Sequence, residues 1–555
     1  MSSLSHDAGS PSPKLRRPWL KILLAGFWSG LLGGLAMLIV ALLLRWLFGF
    51  PTATELIFDR SFTLISINFF IESINWAGGY VPLKLNGVYS ALGGQLLVAA
   101  LGGVVYALYL ENVRRHDKTR PWFDPKGLAL ILPITLFAWI GFEIFLWPQL
   151  ITQYRGIPPG VALWLSSLGL LIDFLVAGVG IVFFYGWLTH SNSQITPEQS
   201  RRLAPVNGGR RAFLQVIVGA GFAVGFGALL RRLFDLSTLD YDGMTYEGSD
   251  LDRITANEDF YSVTKNVVDP DVVRNFWRFE VAGLVEEPKS YSFAEIAGLP
   301  AIEQETTLMC ISNPVGGGLI SNAVWKGVPL PKILALSRPK TGAMALLFHA
   351  ADGYFETIPI EKALSETTLL AYEMNGEPLP HIHGFPLRMI TPGLYGEKNP
   401  KWITKVELLA ENDPRLLRQH GCGFYKEQGW GPNFTVPTTS RIDSPESDSG
   451  EFNDDFKINQ PVEFHGMAFG GDRGISKVEL SFDSGKSWQE AEIIEPGTKI
   501  SWSFWKYTWT PQTLGDTEIV VRATDGQSQP QIAEERPTVP EGATGLQRIT
   551  ATVAA

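Results

Sequence analysis

Cysteine is scarce in this chain, which has only Cys310 and Cys422 among its 555 residues. Without a CxxC pair, a zinc or iron-sulfur cage built from protein thiolates is not expected. The sequence also lacks a CxxCH haem-attachment motif, and of its eight histidines only His190 lies near a long apolar run, so neither haem nor flavin is expected. A lone cysteine is most often a small buried hydrophobe, and a disulfide between the two is the alternative outside the cytoplasm.

Charged and apolar residues are distributed unevenly along the chain. Up to residue 239, 19 Lys and Arg stand against 11 Asp and Glu, whereas from residue 240 onward 27 stand against 45. The first part contains five mostly apolar runs long enough to cross ~30 Å of hydrocarbon. The sequence therefore predicts a membrane region over residues 1–235, with spans at about 20–48, 91–110, 128–150, 162–188 and 213–230.

Basic residues predict the orientation of these spans. They cluster at 14–21, 114–126 and 201–211, which all lie on one side of a five-span arrangement. The positive-inside rule makes that side cytoplasmic. We interpret Ser61–Trp76, which is short and carries Glu72, as interfacial or re-entrant rather than as a sixth span. We expect a bacterial-type cell membrane protein whose acidic C-terminal part lies on the periplasmic side.

The fifth span begins with Arg210-Arg211-Ala212-Phe213-Leu214, which is similar to the twin-arginine export signal of bacteria. That route carries folded, cofactor-loaded proteins, and without a small-residue cleavage site we expect the segment to remain as an anchor. Inside the spans, Glu143 and Asp173 are interpreted as groups that hydrogen-bond between helices, with a proton path or quinone pocket as the alternative. Close helix packing is expected at Gly26, Gly30 and Gly34.

The remainder of the chain has the pattern of soluble, β-rich domains. Segments 276–284, 345–349 and 402–409 alternate or run apolar as strands do, and short helices are expected at 293–297 and 331–336. A mixed α+β domain is therefore predicted at 236–434. After the polar stretch 443–455, evenly spaced short strands joined by Gly and Asp turns predict an immunoglobulin-like β-sandwich within 435–555.

Six phrases of the predicted α+β domain occur in an order that resembles one family. They are Thr255-Ala-Asn-Glu-Asp-Phe-Tyr-Ser, Cys310-Ile-Ser-Asn-Pro-Val-Gly-Gly, Asn322-Ala-Val-Trp-Lys-Gly, Met374-Asn-Gly-Glu-Pro, His383-Gly-Phe-Pro-Leu-Arg and Pro392-Gly-Leu-Tyr-Gly, followed by Lys401-Trp402. Together they resemble the molybdopterin-binding domain of the sulfite oxidase family, and the β-sandwich resembles the dimerisation domain of that family. The resemblance implies a molybdenum-molybdopterin cofactor and a homodimer formed through the C-terminal domain.

The resemblance also assigns roles to individual residues. Cys310 matches the cysteine that ligates molybdenum, for which a soft thiolate is suited. His383 and Arg388 match positions that hold the phosphate and the pterin edge of the cofactor, and Lys401 matches a further cofactor contact. The early cofactor-binding segment is matched by Phe260, Tyr261 and Ser262. The alternatives are that Arg388 forms a surface ion pair and that Tyr261 is a core residue.

Two departures from the family pattern concern the substrate. Animal and plant sulfite oxidases have arginines soon after the metal-ligating cysteine, where this chain has Asn313-Pro314-Val315. Their active-site tyrosine aligns with Trp430, which replaces a phenol hydroxyl by an indole donor. Tyr425 is a further candidate catalytic residue, and the same segment holds His420 and Cys422. Sulfite is therefore in doubt as the substrate.

The sequence thus predicts a membrane-anchored, extracytoplasmic molybdopterin oxidoreductase that transfers an oxygen atom and two electrons to or from a small oxyanion or sulfoxide. One alternative is a methionine-sulfoxide-type reductase that membrane quinol supplies with electrons. Another is a non-catalytic binding module displayed on the membrane. An external redox partner, either a cytochrome c or a quinone-linked protein, is expected, and no nucleic-acid partner is.

Overall fold

The computed structural model describes residues 19–113, 124–189, 224–232, 252–411 and 434–555, together with Asp413 and Arg415. Further gaps lie between residues 63 and 79 and at 148, 153–154, 449 and 539–540. The chain forms two compact units. The first comprises residues 1–58, 86–150 and 164–235, and the second comprises 59–85, 151–163 and 236–555.

Four helices of the described residues are long and apolar enough to cross a membrane. They correspond to the first four predicted spans, whereas most of the fifth, and half of Ser61–Trp76, lie outside the described residues. A shorter helix follows the first. In chain order these helices are α1 (Trp19–Phe48), α2 (Ala53–Phe62), α3 (Tyr80–Val113), α4 (Pro125–Leu146) and α5 (Pro159–Thr189).

Small residues allow α1 to approach α3 closely. A Cβ atom added at Gly30 would lie 2.1 Å from the carbonyl oxygen of Ala99, and one at Gly26 would lie 2.7 Å from that of Gly103. Only glycine fits such backbone contacts, which confirms the packing expected from the glycine spacing. Between α4 and α5, the Ser167 hydroxyl donates to Glu143 at 2.8 Å, as expected for a hydrogen bond between helices.

The α+β domain contains two sheets. One has the strand order β2-β1-β10-β5-β6, and the other has the order β3-β4-β7-β8, with β9 paired to β7. The strands are β1 (Phe279–Gly283), β2 (Lys289–Tyr291), β3 (Ile302–Met309), β4 (Ile320–Pro329), β5 (Ala343–Ala350), β6 (Phe355–Pro359), β7 (Leu369–Met374), β8 (Glu377–Pro378), β9 (Arg388–Ile390) and β10 (Ile403–Ala410). Three short helices accompany them, namely α6 (Phe293–Ala297), α7 (Leu330–Leu336) and α8 (Ile360–Ala363).

The predicted short helices are confirmed, and local sequence explains the first of them. Ser292 accepts a hydrogen bond from the Glu295 backbone, while the Glu295 side chain accepts one from the Ser292 backbone, forming a capping box. The predicted strands are also found, with ends that differ by one to three residues. A core that includes Trp277, Phe279, Phe348 and Val406, all almost fully buried, holds the first sheet and its helices together.

The C-terminal domain is a β-sandwich, as predicted. One sheet has the order β11-β15-β19-β18 and the other the order β12-β13-β21-β20-β16-β17, with β14 paired to β21. Its strands are β11 (Thr439–Ser444), β12 (Ser447–Asp448), β13 (Glu451–Phe452), β14 (Phe456–Lys457), β15 (Val462–Phe469), β16 (Ile475–Ser481), β17 (Gln489–Glu490), β18 (Glu492–Glu495), β19 (Ser503–Trp509), β20 (Gly515–Asp525) and β21 (Gln547–Ala554). Inward-facing Phe464, Val478, Trp505 and Ile519 fill the space between the sheets.

Two short parts of the N-terminal region belong to the second unit, and we call them the connecting segments. They are residues 59–85, between α1 and most of α3, and residues 151–163, between α4 and most of α5. The backbone amide of Val273 donates to the carbonyl of Arg155 at 3.0 Å. The second unit is therefore built from three separate stretches of sequence.

Candidate cofactor site

Cys310 lies directly after β3, at the start of the loop that joins it to β4. Its backbone amide donates to Leu319 at 2.9 Å and its carbonyl accepts from Asn313 at 3.1 Å, so the loop is closed by its own backbone. The Asn313 side chain accepts from the Leu319 amide at 2.8 Å. Gly316 has a φ of +76°, which favours glycine at that turn. The Cys310 side chain is 8 % exposed and carries a thiol rather than a disulfide.

Phe260 and Tyr261 pack in one buried cluster with Cys310. The rings of Phe260 and Tyr261 stack at 5.5 Å, and Phe260 meets Trp325 edge to face at 5.5 Å. Burial, and secondarily the thiolate charge of Cys310, raises the pKa of Tyr261 well above 10.0. The phenol is therefore neutral at physiological pH and able to donate a hydrogen bond.

Arg388, at the start of β9, is a buried cation. Its guanidinium donates to the carbonyl oxygens of His383 at 3.1 Å and Asn399 at 3.2 Å, and it lies 4.8 Å from the centre of the Trp325 ring. Its Nε is buried and has no hydrogen-bond partner within the described part of the chain. Burial lowers the pKa of Arg388 to about 10. The side chain is 5 % exposed, so it does not form the surface ion pair that was the alternative.

His383 is held in a single ring orientation. Its Nε2 lies 2.7 Å from the carbonyl oxygen of Asn257, which can only accept, so Nε2 carries the proton. Burial lowers the pKa of His383 to about 3, which keeps the ring neutral. Nδ1 of the neutral ring is consequently an acceptor. The histidine can receive a hydrogen bond from a ligand NH or OH group but cannot supply positive charge.

Lys401 adds a second cation to the site. Its ammonium donates to the Ser262 hydroxyl and to the Ile382 carbonyl, both at 3.0 Å, and lies 4.4 Å from the Trp402 ring centre. Burial lowers the pKa of Lys401, and the charge of Asp269 opposes that effect. Lys401 thus joins the segment that contains Ser262 to the segment that contains His383.

The charge balance of this site fits an anionic cofactor. Among the described residues, Arg388 has no carboxylate within ion-pair distance, and its buried Nε has no acceptor. Burying an unpaired cation is costly, and a phosphate is a suitable counter-charge for a guanidinium. The site thus has the buried cation Arg388, the half-buried cation Lys401, a neutral acceptor at His383 and the Cys310 thiol. This set is suited to the phosphate, the pterin edge and the metal of a molybdopterin cofactor.

Tyr395 is a site residue that the sequence interpretation did not single out, although it lies in the phrase Pro392-Gly-Leu-Tyr-Gly. The side chain is 1 % exposed, and its hydroxyl has no hydrogen-bond partner among the described residues. Burial, then the charges of Glu397 and Cys310, raises the pKa of Tyr395. A Cβ atom added at Gly542 would lie 2.0 Å from this hydroxyl, so the C-terminal domain directly contacts it. The signal available in the sequence was the position of this tyrosine, which lies between Gly393 and Gly396 and shortly after Pro392.

A cavity of about 490 Å³ borders the loop that follows Cys310. Residues 314–316 form one wall, and residues 535–538 and 543–549 of the C-terminal domain form the other. Both arginines of this lining are paired with acidic residues, Arg536 with Glu534 at 2.7 Å and Arg548 with Glu518 at 3.0 Å. Their positive charge is therefore largely offset at the cavity wall.

The structure thus brings together seven predicted cofactor-site residues, namely Phe260, Tyr261, Ser262, Cys310, His383, Arg388 and Lys401. The two other candidate catalytic residues, Tyr425 and Trp430, lie outside the described residues, as do His420 and Cys422. Asn257 and Asn399 are additional residues that hold the site, because their carbonyl groups fix His383 and Arg388. Every residue has a backbone carbonyl, so the sequence alone does not show which carbonyls act as acceptors in the site.

Comparison with protein families places both soluble domains. Residues 265–416 match the oxidoreductase molybdopterin binding domain, and residues 433–536 match the Mo-co oxidoreductase dimerisation domain. The chain therefore contains the catalytic and the dimerisation modules in the order that the sequence predicted.

Comparison with individual proteins gives relatives of the same kind. Sulfite oxidase of Arabidopsis thaliana is 28% identical over 303 residues, which cover 45% of this chain and 75% of that protein. Mitochondrial sulfite oxidase of Drosophila melanogaster is 30% identical over 311 residues, covering 49% of this chain and about half, 54%, of that protein. The uncharacterized oxidoreductase YuiH of Bacillus subtilis is 36% identical over 145 residues, covering 26% of this chain and 71% of YuiH. The chain belongs to the sulfite oxidase family of molybdopterin-dependent oxidoreductases, and it is a molybdenum cofactor enzyme with an N-terminal group of apolar helices.

Proposed function

We propose that this enzyme is anchored in a membrane and transfers an oxygen atom and two electrons at an extracytoplasmic molybdenum centre ligated by Cys310. The overall balance is substrate plus water giving oxygenated substrate, two protons and two electrons, or the reverse. The observation that carries this proposal is the buried Cys310 thiol in a site with the buried cation Arg388, which has no carboxylate partner among the described residues, and the half-buried cation Lys401.

The residues of the site have separate tasks in this proposal. When bound, the molybdenum cofactor supplies a metal that exchanges two electrons and an oxygen atom with the substrate. Arg388 and Lys401 hold the anionic end of the cofactor, and Nδ1 of His383 accepts a hydrogen bond from it. The neutral phenols of Tyr261 and Tyr395 are donors near Cys310, where they can hydrogen-bond a polar oxygen of the substrate.

Cys310→Ser tests this assignment, because a hydroxyl is a poor ligand for a soft metal centre. We expect turnover to be lost and the electron paramagnetic resonance signal of molybdenum to change. Met374→Leu is the matched control, since it removes another sulfur atom from the same buried cluster without altering its volume much. Equal activity and an identical metal signal in Cys310→Ser and wild type would contradict the proposal.

Membrane topology supports the extracytoplasmic location. Both connecting segments belong to the same compact unit as the molybdopterin domain, so if each long helix crosses once, the basic clusters at 14–21, 114–126 and 201–211 lie on the opposite side. The positive-inside rule makes that opposite side cytoplasmic. Arg210-Arg211 would then mark export of the folded catalytic part by the twin-arginine route.

Reporter fusions at the C terminus and in the basic segment 114–123 test the topology. Alkaline phosphatase is active only outside the cytoplasm, so we expect activity at the C terminus and none in the segment 114–123. The opposite result would reverse the orientation. Replacing Arg210 and Arg211 by lysine should stop export if the twin-arginine route is used and should have no effect if the pair only follows the positive-inside rule.

Reduction of a sulfoxide is a second candidate function, and the cavity that borders the loop after Cys310 favours it. The loop has Pro314 and Val315 where sulfite oxidases have arginines, and Arg536 and Arg548 are paired with glutamates. A neutral substrate fits this charge balance better than an oxyanion. Purified enzyme should be assayed with sulfite and an acceptor dye, and with sulfoxides and a reduced dye; faster turnover of sulfite would reject the reductase assignment.

We propose that electrons pass to or from a separate protein or quinone, and that the chain forms a homodimer through its dimerisation domain. An oxidase would need an acceptor such as a cytochrome c, whereas a reductase would need a membrane quinol as donor. Sedimentation of the purified protein in detergent, with and without a cytochrome c, measures both the oligomeric state and the association. A monomer at micromolar concentration would reject the dimer.

A further inference from the structure

Residues 263–273 form an irregular strap that is held by the connecting segments. Lys84, only 1 % exposed, donates to the Thr264 carbonyl at 2.9 Å. Lys265 in the strap lies 3.7 Å from the carboxylate of Asp59. Arg155 pairs with Asp271 at 3.3 Å at the far end of the strap. Three contacts from two separate stretches of chain thus fix its position.

The same strap is joined to the cofactor site on its other side. It begins directly after Ser262, whose hydroxyl accepts a hydrogen bond from Lys401. The charge of Lys401 lowers the pKa of Asp269, while burial, the larger effect, raises it. Thr264 and Asn266 each hydrogen-bond Asp269, at 3.1 and 3.4 Å.

Two residues of the strap, Lys265 and Asn266, both hydrogen-bond Asp352. Lys265 donates to the Asp352 carbonyl at 3.0 Å, and Asn266 donates to the Asp352 carboxylate at 3.1 Å. The charged residues of this group are three lysines and three aspartates, namely Lys84, Lys265, Lys401, Asp59, Asp269 and Asp352. Burial lowers the pKa of Lys401, the charges of Asp269 and Asp352 oppose that effect, and the charge of Arg388 adds to it. Removing one charge leaves the others partly buried without full compensation, and the imbalance acts on Lys401.

We propose that the connecting segments are part of the cofactor site, because Asp59 and Lys84 position the strap, whose Asp269 offsets the charge of Lys401. Asp59, Lys84 and Lys265 are then positioning residues that act through Lys401. The N-terminal region consequently sets the electrostatic potential at the molybdenum centre in addition to anchoring the enzyme. This inference rests on the proposed role of Lys401 in holding the cofactor.

The sign of the change in charge provides the test. Asp59→Asn removes a negative charge, so the midpoint potential of the molybdenum centre should rise, because reduction adds negative charge there. Lys265→Met removes a positive charge and should lower the potential. The double variant should return toward the wild-type value. The measurement is a redox titration followed by the molybdenum electron paramagnetic resonance signal, on full-length protein in detergent with molybdenum content determined in parallel.

Arg155→Gln is the matched control, since it also breaks an ion pair between a connecting segment and the strap. Its partner Asp271 has a side chain 59 % exposed, so water screens that pair and the potential should stay unchanged. Shifts of the same sign in Asp59→Asn and Lys265→Met, or no shift beyond that of Arg155→Gln, would overturn the inference. If the Asp59→Asn protein does not accumulate, the potential of the Lys265→Met variant alone decides the test. The Lys265 side chain is 30 % exposed, so its replacement is better tolerated.

The outcomes separate this inference from the function on which it rests. Wild-type protein without molybdenum, isolated from a host that makes the cofactor, would reject the proposed metal site itself. If molybdenum is bound but these substitutions do not change its midpoint potential, only the role of the connecting segments would be rejected.

Discussion

Replacement of Arg388 by methionine separates the stability of the protein from its hold on the cofactor. Burial lowers the pKa of Arg388 to about 10, against an ordinary value of about 12.5, which corresponds to a cost of ~3 to 4 kcal/mol for burying the charge. Methionine has a similar length and no charge, so this cost disappears in the variant.

Arg388→Met also removes favourable interactions, which offset that gain. Two hydrogen bonds from a charged donor contribute roughly 1.5 to 3 kcal/mol each, and the interaction with the Trp325 ring contributes about 1 to 2 kcal/mol. These losses sum to about 4 to 8 kcal/mol and the gain is ~3 to 4 kcal/mol, so without cofactor the variant should lose about 0 to 5 kcal/mol of unfolding free energy. With cofactor, loss of a charge-assisted hydrogen bond to an anion should cost about 2 to 4 kcal/mol more, equivalent to ~30- to 1,000-fold weaker retention.

The assay compares thermal unfolding of the cofactor-free and cofactor-loaded forms of each variant, with molybdenum content after dialysis. Arg473→Met is the matched control, because Arg473 pairs with the buried Asp525 at 2.7 Å in the β-sandwich. Breaking that pair should cost ~3 to 5 kcal/mol in both forms alike. If Arg388→Met destabilised both forms equally and kept its molybdenum, the reasoning about an unpaired cation would be refuted.

Further substitutions test individual features of the structure. Because burial lowers the pKa of His383 to about 3, the unfolded chain takes up the proton first, and stability should fall by up to ~5 kcal/mol between pH 6.5 and pH 3. His383→Gln should flatten that part of a pH series of chemical denaturation curves; an unchanged slope would show that the ring is not the titrating group. Lys398→Met should cost about 3 to 5 kcal/mol in the same assay, since it leaves Glu356 buried without its partner at 2.8 Å, and a second change, Glu356→Leu, should recover most of the loss. Gly542→Ala should lower the melting temperature more than Gly515→Ala, because both have positive φ but only Gly542 abuts a buried hydroxyl; equal losses would mean that backbone strain alone is responsible.

The ordered phrases around Cys310 and His383 were sufficient to predict the family, the cofactor and both soluble domains. They succeed because a cofactor site needs particular side chains at particular turns of the chain. Short helices were also predictable, since Ser292 and Glu295 form a cap from local sequence alone. The same reasoning could not find Tyr395, whose importance comes from its contact with Gly542, 147 residues later in the chain.

The predicted second span, 91–110, covers only part of the helix Tyr80–Val113, and Lys84 is one reason why the sequence pattern shows less than the whole helix. The helix begins at Tyr80, but a lysine in its first turns ends the apolar run by which a span is recognised. In the structure that lysine is buried and hydrogen-bonded to Thr264. A hydropathy average measures the transfer of neighbouring side chains from water to lipid. It cannot show that the ammonium group of Lys84 has a hydrogen-bond acceptor far away in the sequence.

The discontinuity of the second unit has a consequence for folding. Lys84 and Thr264 are 180 residues apart in sequence, and contacts of such separation form late because a long loop must be closed first. Residues 236–555 follow the helices in the sequence, so the strap can meet residues 59–85 only after both stretches have been synthesised. We therefore expect the contacts between the strap and residues 59–85 to form late in folding.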